Sequence, residues 1–338
     1  MFKQIFIEER IKDSHRVSSI LQKLNRYSPR VTYIDHVSNY FGQFKKPYLQ
    51  KRTNLNLYLG KKDGTLVKKA PNAYGTKDEE HYYFVYQYNC IYECQYCYLQ
   101  GHFKSPDLVW FLNFEDIALE IQRTVHEHLK TSSNKIWFHA GEFSDSLALS
   151  HFTEEWPFFF DLFSKLPQEA NLELRTKSAN SKVIKDLPPQ KNILITFSLS
   201  PEEQIQQYDL KTASLKARLA SIKELLQNNH RVGIHLDPLI YSHNFEEEIE
   251  KLLSTIDEEI SLSKLSLISL GVVRFTKDVY RQFQQNYPES TILAAHFKMA
   301  PDGLYRNHRL VRENLFYLTK KQLYKMGVNE KNIYLCME

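Results

Sequence analysis

Residues 82–99 read Tyr-Tyr-Phe-Val-Tyr-Gln-Tyr-Asn-Cys-Ile-Tyr-Glu-Cys-Gln-Tyr-Cys-Tyr-Leu, an aromatic run that passes into three closely spaced cysteines. The run at Tyr82–Tyr88 predicts a β-strand, because aromatic and β-branched residues favour a pleated, half-buried surface. Cys90, Cys94 and Cys97 follow it with the spacing Cys-x3-Cys-x2-Cys. The first strand of the predicted sheet therefore leads directly into a loop that can bring three thiols together.

Downstream of this loop, strand and helix patterns alternate, which is typical of a parallel sheet. The five further predicted strands are Ile136–His139, Leu172–Thr176, Ile193–Ser198, Val232–Leu236 and Leu265–Val273. The predicted helices between them include Phe114–Leu129, Thr153–Leu166 and Thr212–Gln227. We therefore expect an α/β fold with an incomplete (β/α)6 TIM-like barrel, since a complete eight-unit barrel takes about 250 residues.

The segments that flank the predicted barrel have a different character. Residues 1–80 predict an irregular N-terminal extension with one helix at about Glu8–Leu24, and the barrel itself is expected over residues 81–275. Residues 276–338 predict a basic C-terminal hairpin and helix, with Asp302-Gly303 as the turn and a closing strand at Ile333–Cys336. The basic and tyrosine-containing stretch of the N-terminal extension comprises Lys45, Lys46, Lys51, Arg52, Lys61, Lys62, Lys68 and Lys69, interleaved with Tyr48, Tyr58 and Tyr74.

The composition of the 338-residue chain is that of an ordinary globular protein, with 42% hydrophobic residues and a net charge of +4. No apolar stretch approaches the roughly 18 to 20 residues that a membrane span requires, and Met1–Arg10 has no apolar signal core. We therefore expect a cytoplasmic protein with no membrane partner. In a reducing compartment, the four cysteines indicate metal binding or catalysis rather than a disulfide scaffold.

The cysteine loop has three chemical interpretations. Three thiolates on one short loop can bind three irons of a cubane iron–sulfur cluster and leave the fourth iron open. A zinc site would need a fourth protein ligand, for which His102 and Cys336 are candidates. Three unrelated core cysteines are the remaining alternative. We favour the cluster, because the loop leaves the first predicted barrel strand at the end where such folds place their chemistry.

The motif of Cys90, Cys94 and Cys97 after a first strand resembles the signature of the radical S-adenosylmethionine (SAM) superfamily. The longer match Cys94-Gln-Tyr-Cys97-Tyr-Leu99-Gln is similar to the spore photoproduct lyase family, DNA-repair enzymes that reverse a UV-induced thymine adduct. The resemblance runs in ordered blocks from about Tyr82 to Ser200. It implies a [4Fe–4S] cluster on the three cysteines, cleavage of SAM to a 5′-deoxyadenosyl radical, a DNA substrate, and an electron donor such as flavodoxin or ferredoxin.

The resemblance also assigns SAM contacts to the ends of successive strands. Gly141-Glu142 matches the superfamily's second-strand Gly-Gly-Glu block, with Ala140 in place of the first glycine. Ser144-Asp145 matches a Ser-Asp pair whose serine contacts the SAM amino group. Lys177 and Ser198 match residues that contact the SAM carboxylate. For Ser144-Asp145 the alternative is a cap on the following helix.

One position departs from the family pattern. Spore photoproduct lyases carry a cysteine two residues before the Ser-Asp pair, which returns a hydrogen atom to the product radical, and Glu142 stands there in this chain. A carboxylate O–H bond is too strong for that task. The candidate catalytic residues are therefore Tyr96 and Tyr98, at positions implicated in the family's hydrogen relay, and Cys336. A buried structural cysteine is an equal alternative for Cys336.

Substrate contacts are predicted from the later strands and the C-terminal segment. His235, Asp237 and Arg274 lie at strand ends and would form either a polar pocket at the barrel mouth or a structural Asp–Arg pair. Tyr305 and Arg306 belong to a basic, aromatic segment whose residue types suit phosphates and flipped-out bases, although a solvated helix face is the alternative. Two other functions stay open: a radical SAM enzyme acting on a small metabolite, peptide or modified base, and a zinc- or cluster-bearing binding module.

Overall fold

The computed structural model describes residues 2–43, 48, 55–71, 79–295 and 297–336. The strands in these ranges are β1 Gln4–Glu8, β2 Arg30–Ile34, β3 Asn56–Gly60, β4 Val67–Lys69, β5 Glu80–Phe84, β6 Gln87–Tyr88, β7 Glu93–Cys94, β8 Leu108–Phe111, β9 Ile136–Ala140, β10 Ala170–Thr176, β11 Ile193–Ser198, β12 Asp209–Leu210, β13 Arg231–Leu239, β14 Ile268–Val272, β15 Arg274–Phe275, β16 Lys298–Met299, β17 Tyr305–Arg306 and β18 Ile333–Leu335. The α-helices are α1 His15–Leu24, α2 Leu99–His102, α3 Phe114–Leu129, α4 Ser150–Thr153, α5 Glu155–Lys165, α6 Glu202–Tyr208, α7 Leu215–Gln227, α8 Phe245–Ile260, α9 Lys277–Asn286 and α10 Arg309–Lys325. The predicted basic residues Lys45, Lys46, Lys51 and Arg52, and Tyr74 with them, lie outside the described residues.

The main sheet is a curled half-barrel with the strand order β18-β14-β13-β11-β10-β9-β5-β4. All neighbouring strands from β18 to β5 are parallel, and β4 adds an antiparallel edge. The six predicted barrel strands are present in the expected sequence, and the predicted closing strand joins them as β18. The predicted first strand Tyr82–Tyr88 is broken, however, because β5 ends at Phe84 and Gln87–Tyr88 pair with β8 in a second sheet. The α/β class and the incomplete barrel are confirmed.

The helices between these strands cover the outer face of the half-barrel. In α8, for example, Ile249, Leu253 and Ile256 recur at helical spacing and are fully or almost fully buried. The strands are buried on both sides, as β11 and β14 show with no exposed residue. This burial is typical of parallel sheets, whose strands read as near-continuous apolar runs. A lone polar side chain within such a strand therefore points to the interior of the barrel or to a site.

The N-terminal segment is not irregular, which corrects the sequence-based expectation. Strands β2, β1, β3 and β8 form a second, parallel sheet, with β6 added antiparallel at its end. The α-helix predicted from Glu8 is also wrong before His15, because Glu8 is the last residue of β1 and Glu9–Ile11 form a short 3-10 helix. Helix α1 begins only where the hydroxyl of Ser14 accepts a hydrogen bond from the Val17 amide.

Other predicted elements agree more closely with the structure. Helix α3 has the predicted bounds, and the hairpin of β16 and β17 followed by α10 confirms the predicted C-terminal pattern. The predicted helix Thr153–Leu166 is divided into α4 and α5, because Glu154 takes a left-handed conformation with φ of 51°. No helix of the described residues combines the length and apolarity needed to cross a bilayer.

Candidate active site

The cysteine loop is anchored at both ends. Asn89 adopts a left-handed backbone conformation, and its side-chain Nδ2 donates to the carbonyl oxygens of Ser105 and Asp107, each at 2.7 Å. Further on, the short strand β7 that contains Cys94 pairs antiparallel with β12, so that Cys94 lies opposite Asp209. These two attachments fix the loop at the carboxyl end of the half-barrel strands.

The three thiols of this loop suit a cubane cluster. Cys94 is buried, Cys90 and Cys97 are partly exposed, and none of the four cysteines forms a disulfide. Burial raises the pKa of Cys94 well above its usual value, Asp209 raises it further, and so do the thiols of Cys97 and Cys90, which lie near it. Over the described residues, no three His, Cys, Asp or Glu side chains are grouped to hold one metal ion. Cubane ligands each bind a different iron, so they need not meet at one ion.

The two candidates for a fourth zinc ligand are engaged elsewhere. The ring of His102 stacks on Phe143, with centroids 4.9 Å apart, and packs edge-on against Phe103. The thiol of Cys336 lies 3.6 Å from Nη2 of Arg274. The zinc interpretation therefore gains no support from these residues.

A buried charged network lies beside Cys94. Nζ of Lys177 is 2.6 Å from the Tyr96 hydroxyl and 3.2 Å from Oδ2 of Asp209, and the Tyr96 hydroxyl donates to Asp209. The guanidinium of Arg218, which is fully buried, contacts the same carboxylate at 3.3 Å. Burial alone would raise the pKa of Asp209, but Lys177 and Arg218 together hold it below its usual value. Sequence reasoning found Tyr96 and Lys177 and missed the acid and the arginine that position them.

The turn after β9 brings another predicted group to the same edge of the sheet. Gly141 has φ of 87°, and a Cβ atom there would lie 2.6 Å from the Ser146 hydroxyl, so glycine is required. The carboxylate of Asp145 accepts from the amides of Leu147 and Ala148 and from the amide of Lys177 at the end of β10. Helix α4 begins only at Ser150, so Asp145 closes a turn and joins two strand ends instead of capping that helix.

The residues assigned to SAM by resemblance lie at the ends of neighbouring strands. Glu142 and Ser144 follow β9, Lys177 follows β10, and Ser198 ends β11. In this structure the Ser144 hydroxyl donates to the side-chain oxygen of Gln87 at 2.9 Å, and the Tyr98 hydroxyl donates to the carbonyl oxygen of Glu142. The carbonyl oxygen of Ser198 accepts from Arg218 at 2.7 Å. The four residues thus line one edge, and their SAM contacts stay predictions.

Below this edge, the barrel interior contains a chain of titratable side chains that sequence reasoning largely missed. Nδ1 of His81 is 2.9 Å from Nε2 of His139, whose Nδ1 is 2.5 Å from Glu173. The other oxygen of Glu173 is 2.7 Å from Nε2 of His235. Burial would raise the pKa of Glu173, but the charge of Arg175 and the two imidazole hydrogen bonds hold it well below its usual value. The predicted substrate residue His235 is therefore part of the barrel interior.

Asp237, Arg274 and Cys336 form a second interior group. The guanidinium of Arg274 makes two contacts of 3.1 Å with the carboxylate of Asp237, so the predicted Asp–Arg pair exists. Gly271 allows it, since a Cβ atom there would lie 2.5 Å from the Asp237 carboxyl carbon. Cys336 is 4% exposed, and burial, followed by the Asp237 charge, raises its pKa to about 11.

The two remaining predicted substrate residues lie on the C-terminal hairpin. Strand β17 pairs with β15, which places Arg306 opposite Arg274. The ring of Tyr305 stacks on Tyr280 with centroids 4.6 Å apart, and Arg306 is buried and forms an ion pair with Asp302. The hairpin therefore continues the edge that begins at the Asp237–Arg274 pair.

The family of this chain follows from comparison with known proteins. The family model described as spore photoproduct lyase matches residues 45–315, which include the cysteine loop and the described strand ends but not Cys336. The chain belongs to the spore photoproduct lyase family. This membership confirms the resemblance read from the cysteine loop. That Glu142 stands at the family's cysteine position stays a prediction from the Ser144-Asp145 match.

Individual spore photoproduct lyases are distant in sequence and close in fold. The curated spore photoproduct lyases of Geobacillus sp. and Bacillus subtilis are 23% and 21% identical over 60% and 67% of this chain, and the matches span 59% and 66% of those proteins. A solved spore photoproduct lyase complexed with dinucleoside spore photoproduct has a TM-score of 0.81 at 18% identity. A mutant with bound AdoMet and the same dinucleoside has 0.83 at 19% identity. Each match covers 99% of this chain and 98% of the solved chain. Because the sequence identity is below 25%, these two structures show the fold alone.

Proposed function

We propose that this protein is a radical SAM lyase that holds a [4Fe–4S] cluster on Cys90, Cys94 and Cys97 and acts on a thymine photoproduct in DNA. One observation carries the proposal: three neighbouring thiols lie on an anchored loop at the carboxyl edge of a half-barrel with the spore photoproduct lyase fold. Parallel barrels place their chemistry at this edge. The finding that a related lyase binds dinucleoside spore photoproduct supports the choice of substrate.

The chain's own residues would bind and orient the cofactor. When bound, the cluster and SAM supply a 5′-deoxyadenosyl radical, and that chemistry belongs to them rather than to the protein. Lys177 offers a cation already positioned by Asp209, which suits the SAM carboxylate together with Ser198. Glu142 and Ser144 offer acceptors for the ammonium group, beside a glycine that leaves the backbone open.

For the hydrogen-atom step we propose Cys336 as donor. The S–H bond would break and a C–H bond would form on the substrate radical, which leaves a thiyl radical on Cys336. Tyr96 or Tyr98 would return a hydrogen atom to that sulfur, and the tyrosyl radical so formed would take a hydrogen atom from 5′-deoxyadenosine. With a pKa of about 11, the Cys336 thiol keeps its hydrogen at neutral pH. The polar side of the substrate pocket would begin with the neighbours of Cys336, Asp237 and Arg274. His235 and the hairpin residues Tyr305 and Arg306 would complete it.

A second candidate function is a radical SAM reaction on a different substrate. The observation that favours it is Glu142, since a protein without the family's cysteine at that position is expected to control the product radical differently. A modified base, a peptide or a small metabolite would then replace the thymine photoproduct. Electron supply by flavodoxin or ferredoxin is proposed for either function.

The test is anaerobic reconstitution, reduction with dithionite and assay of 5′-deoxyadenosine, without substrate and with UV-irradiated spore-type DNA or the dinucleoside photoproduct. We expect SAM cleavage and restored thymine, and no cleavage in Cys94→Ala. A fully loaded cluster without 5′-deoxyadenosine would end the radical SAM proposal. SAM cleavage without restored thymine would end photoproduct repair and leave the second candidate.

The role of Cys336 has its own test. Cys336→Ala retains the three cluster cysteines, so SAM cleavage should persist while the yield of restored thymine falls and by-products rise. An unchanged product distribution would show that Cys336 is a structural cysteine.

A further inference from the structure

A groove of about 540 Å³ runs between the outward face of α10 and the edge strand β18. Its α10 wall consists of residues spaced three or four apart, which lie on one face of a helix. The residues that line it are Arg309, Arg312, Glu313, Phe316, Tyr317, Lys320 and, from β18, Leu335. We refer to these seven residues as the α10 groove.

The α10 groove carries an excess of positive charge. Arg309 is well exposed and pairs with Glu313 at 2.6 Å, which is the groove's one carboxylate. Arg312 donates to the carbonyl oxygen of Asn307 at 2.9 Å and pairs with no carboxylate in the part of the chain that the structure describes. Lys320 has neither a hydrogen-bond nor an ion-pair partner among the described residues. By contrast, the adjacent Lys321 turns to α8 and is neutralised by Glu246 at 2.8 Å.

The groove also lies next to the proposed active site. Because α10 precedes β18, which is parallel to β14, the N-terminal half of the helix lies at the carboxyl edge of the sheet. Arg309 begins the helix three residues after Arg306, which lies opposite Arg274 in the pairing of β17 with β15 at the barrel mouth. Leu335, at the end of β18, is followed by Cys336. The groove thus starts where the predicted substrate residues end.

We propose that the α10 groove binds the phosphodiester backbone of the nucleic-acid strand that flanks the reacting nucleotide. This inference rests on the proposed function and deepens it by locating the part of the polymer that stays outside the barrel. Guanidinium groups match phosphate oxygens in geometry, and Lys320 adds a point charge. Tyr317, 63% exposed, presents a ring on which a base can stack. The combination of cations with an exposed aromatic ring favours nucleic acid over an acidic protein.

The test uses three groove variants, Arg312→Gln, Lys320→Gln and the double variant of these two. Lys321→Gln is the control variant. The control removes the same charge from the same helix outside the groove. Binding of a lesion-containing oligonucleotide, measured by fluorescence anisotropy at several salt concentrations, should weaken in the groove variants. The slope of log Kd against log salt should fall by about 1 for each removed cation. The control should keep the wild-type slope, and circular dichroism verifies that each variant is folded.

A second measurement separates the groove from the active site. The dinucleoside photoproduct has no flanking strand, so the groove variants should convert it at the wild-type rate while their KM for the oligonucleotide rises. Wild-type affinity and slope in the double variant would overturn the groove proposal and leave the proposed function intact. Slower reduction by flavodoxin or ferredoxin with unchanged DNA binding would overturn it in favour of an electron-donor surface. Failure of the wild-type protein to bind any oligonucleotide would overturn both.

Discussion

The buried ion pair of Asp209 and Arg218 gives a quantitative prediction about the support of the site. Arg218 has no exposed surface and Asp209 has 1%, so replacing Asp209 by Asn leaves a buried guanidinium without its counter-charge. Breaking a buried pair by removing one partner costs about 3–5 kcal/mol. We therefore expect Asp209→Asn to lower the free energy of unfolding by about that amount.

The cost of Arg218→Met should be smaller, because Asp209 keeps Lys177 and the Tyr96 hydroxyl as partners. The double variant removes both buried charges, so its loss should be less than the sum of the single losses, with a coupling of about 1–3 kcal/mol. Urea unfolding followed by circular dichroism, with the cysteines reduced, measures all three values.

An exposed pair in the same protein is the matched control for this cycle. Lys223 and Glu259 are 3.4 Å apart, and each side chain is about half exposed. Glu259→Gln should change the free energy of unfolding by less than about 1 kcal/mol, because exposed pairs contribute little. A loss in Asp209→Asn no larger than in Glu259→Gln, or strictly additive losses in the double variant, would refute the claim that this pair supports the site.

Three further predictions concern pH, backbone and cluster. Burial raises the pKa of Glu155 from 4.5 to about 7, so between those values the folded protein holds a proton that the unfolded chain has released. The free energy of unfolding should therefore fall as the pH rises through this window, by up to about 3 kcal/mol, and then level off. In urea unfolding at several pH values, Glu155→Gln should show a smaller dependence on pH than the wild type. An equal pH dependence in the two proteins would contradict this role of Glu155. Gly141→Ala should lower the free energy of unfolding by about 1–3 kcal/mol more than Gly303→Ala in thermal unfolding, since both have positive φ but only at Gly141 would the new Cβ collide with another atom, the Ser146 hydroxyl. Cys94→Ser should lose bound iron and cluster absorbance after reconstitution, whereas Cys336→Ser keeps both; iron retained by Cys94→Ser would remove Cys94 from the cluster ligands.

The sequence predicted the parts of the site that follow from strand order. Once Leu172–Thr176 and Ile193–Ser198 are recognised as neighbouring parallel strands, Lys177 and Ser198 must lie at one edge of the sheet. Glu173 carried a weaker signal, a lone acid within an apolar strand, which indicates a partner in the interior. Asp209 carried none, because β12 has two residues and its pairing with β7 joins segments far apart in the chain.

The error in the N-terminal segment has a similar physical origin. The predicted N-terminal helix starts at about Glu8, but Glu8 is 1% exposed and accepts hydrogen bonds from the backbone amides of Val37 and Lys61. Those partners are supplied by distant turns, and the sheet that buries Glu8 also needs β8, which lies between barrel elements. Local patterns cannot reveal a strand whose neighbours come from other parts of the chain.

The half-barrel has one more consequence, which concerns how a long molecule reaches its interior. Over the described residues the sheet starts at β18 and stops at β4, and these two strands do not pair, so no ring of backbone surrounds the lumen. A closed ring admits a polymer only at a free end or as a protruding unit. For the proposed nucleic-acid substrate, an unclosed sheet would let a continuous strand approach from the side and present one nucleotide to the carboxyl edge without being cut or threaded.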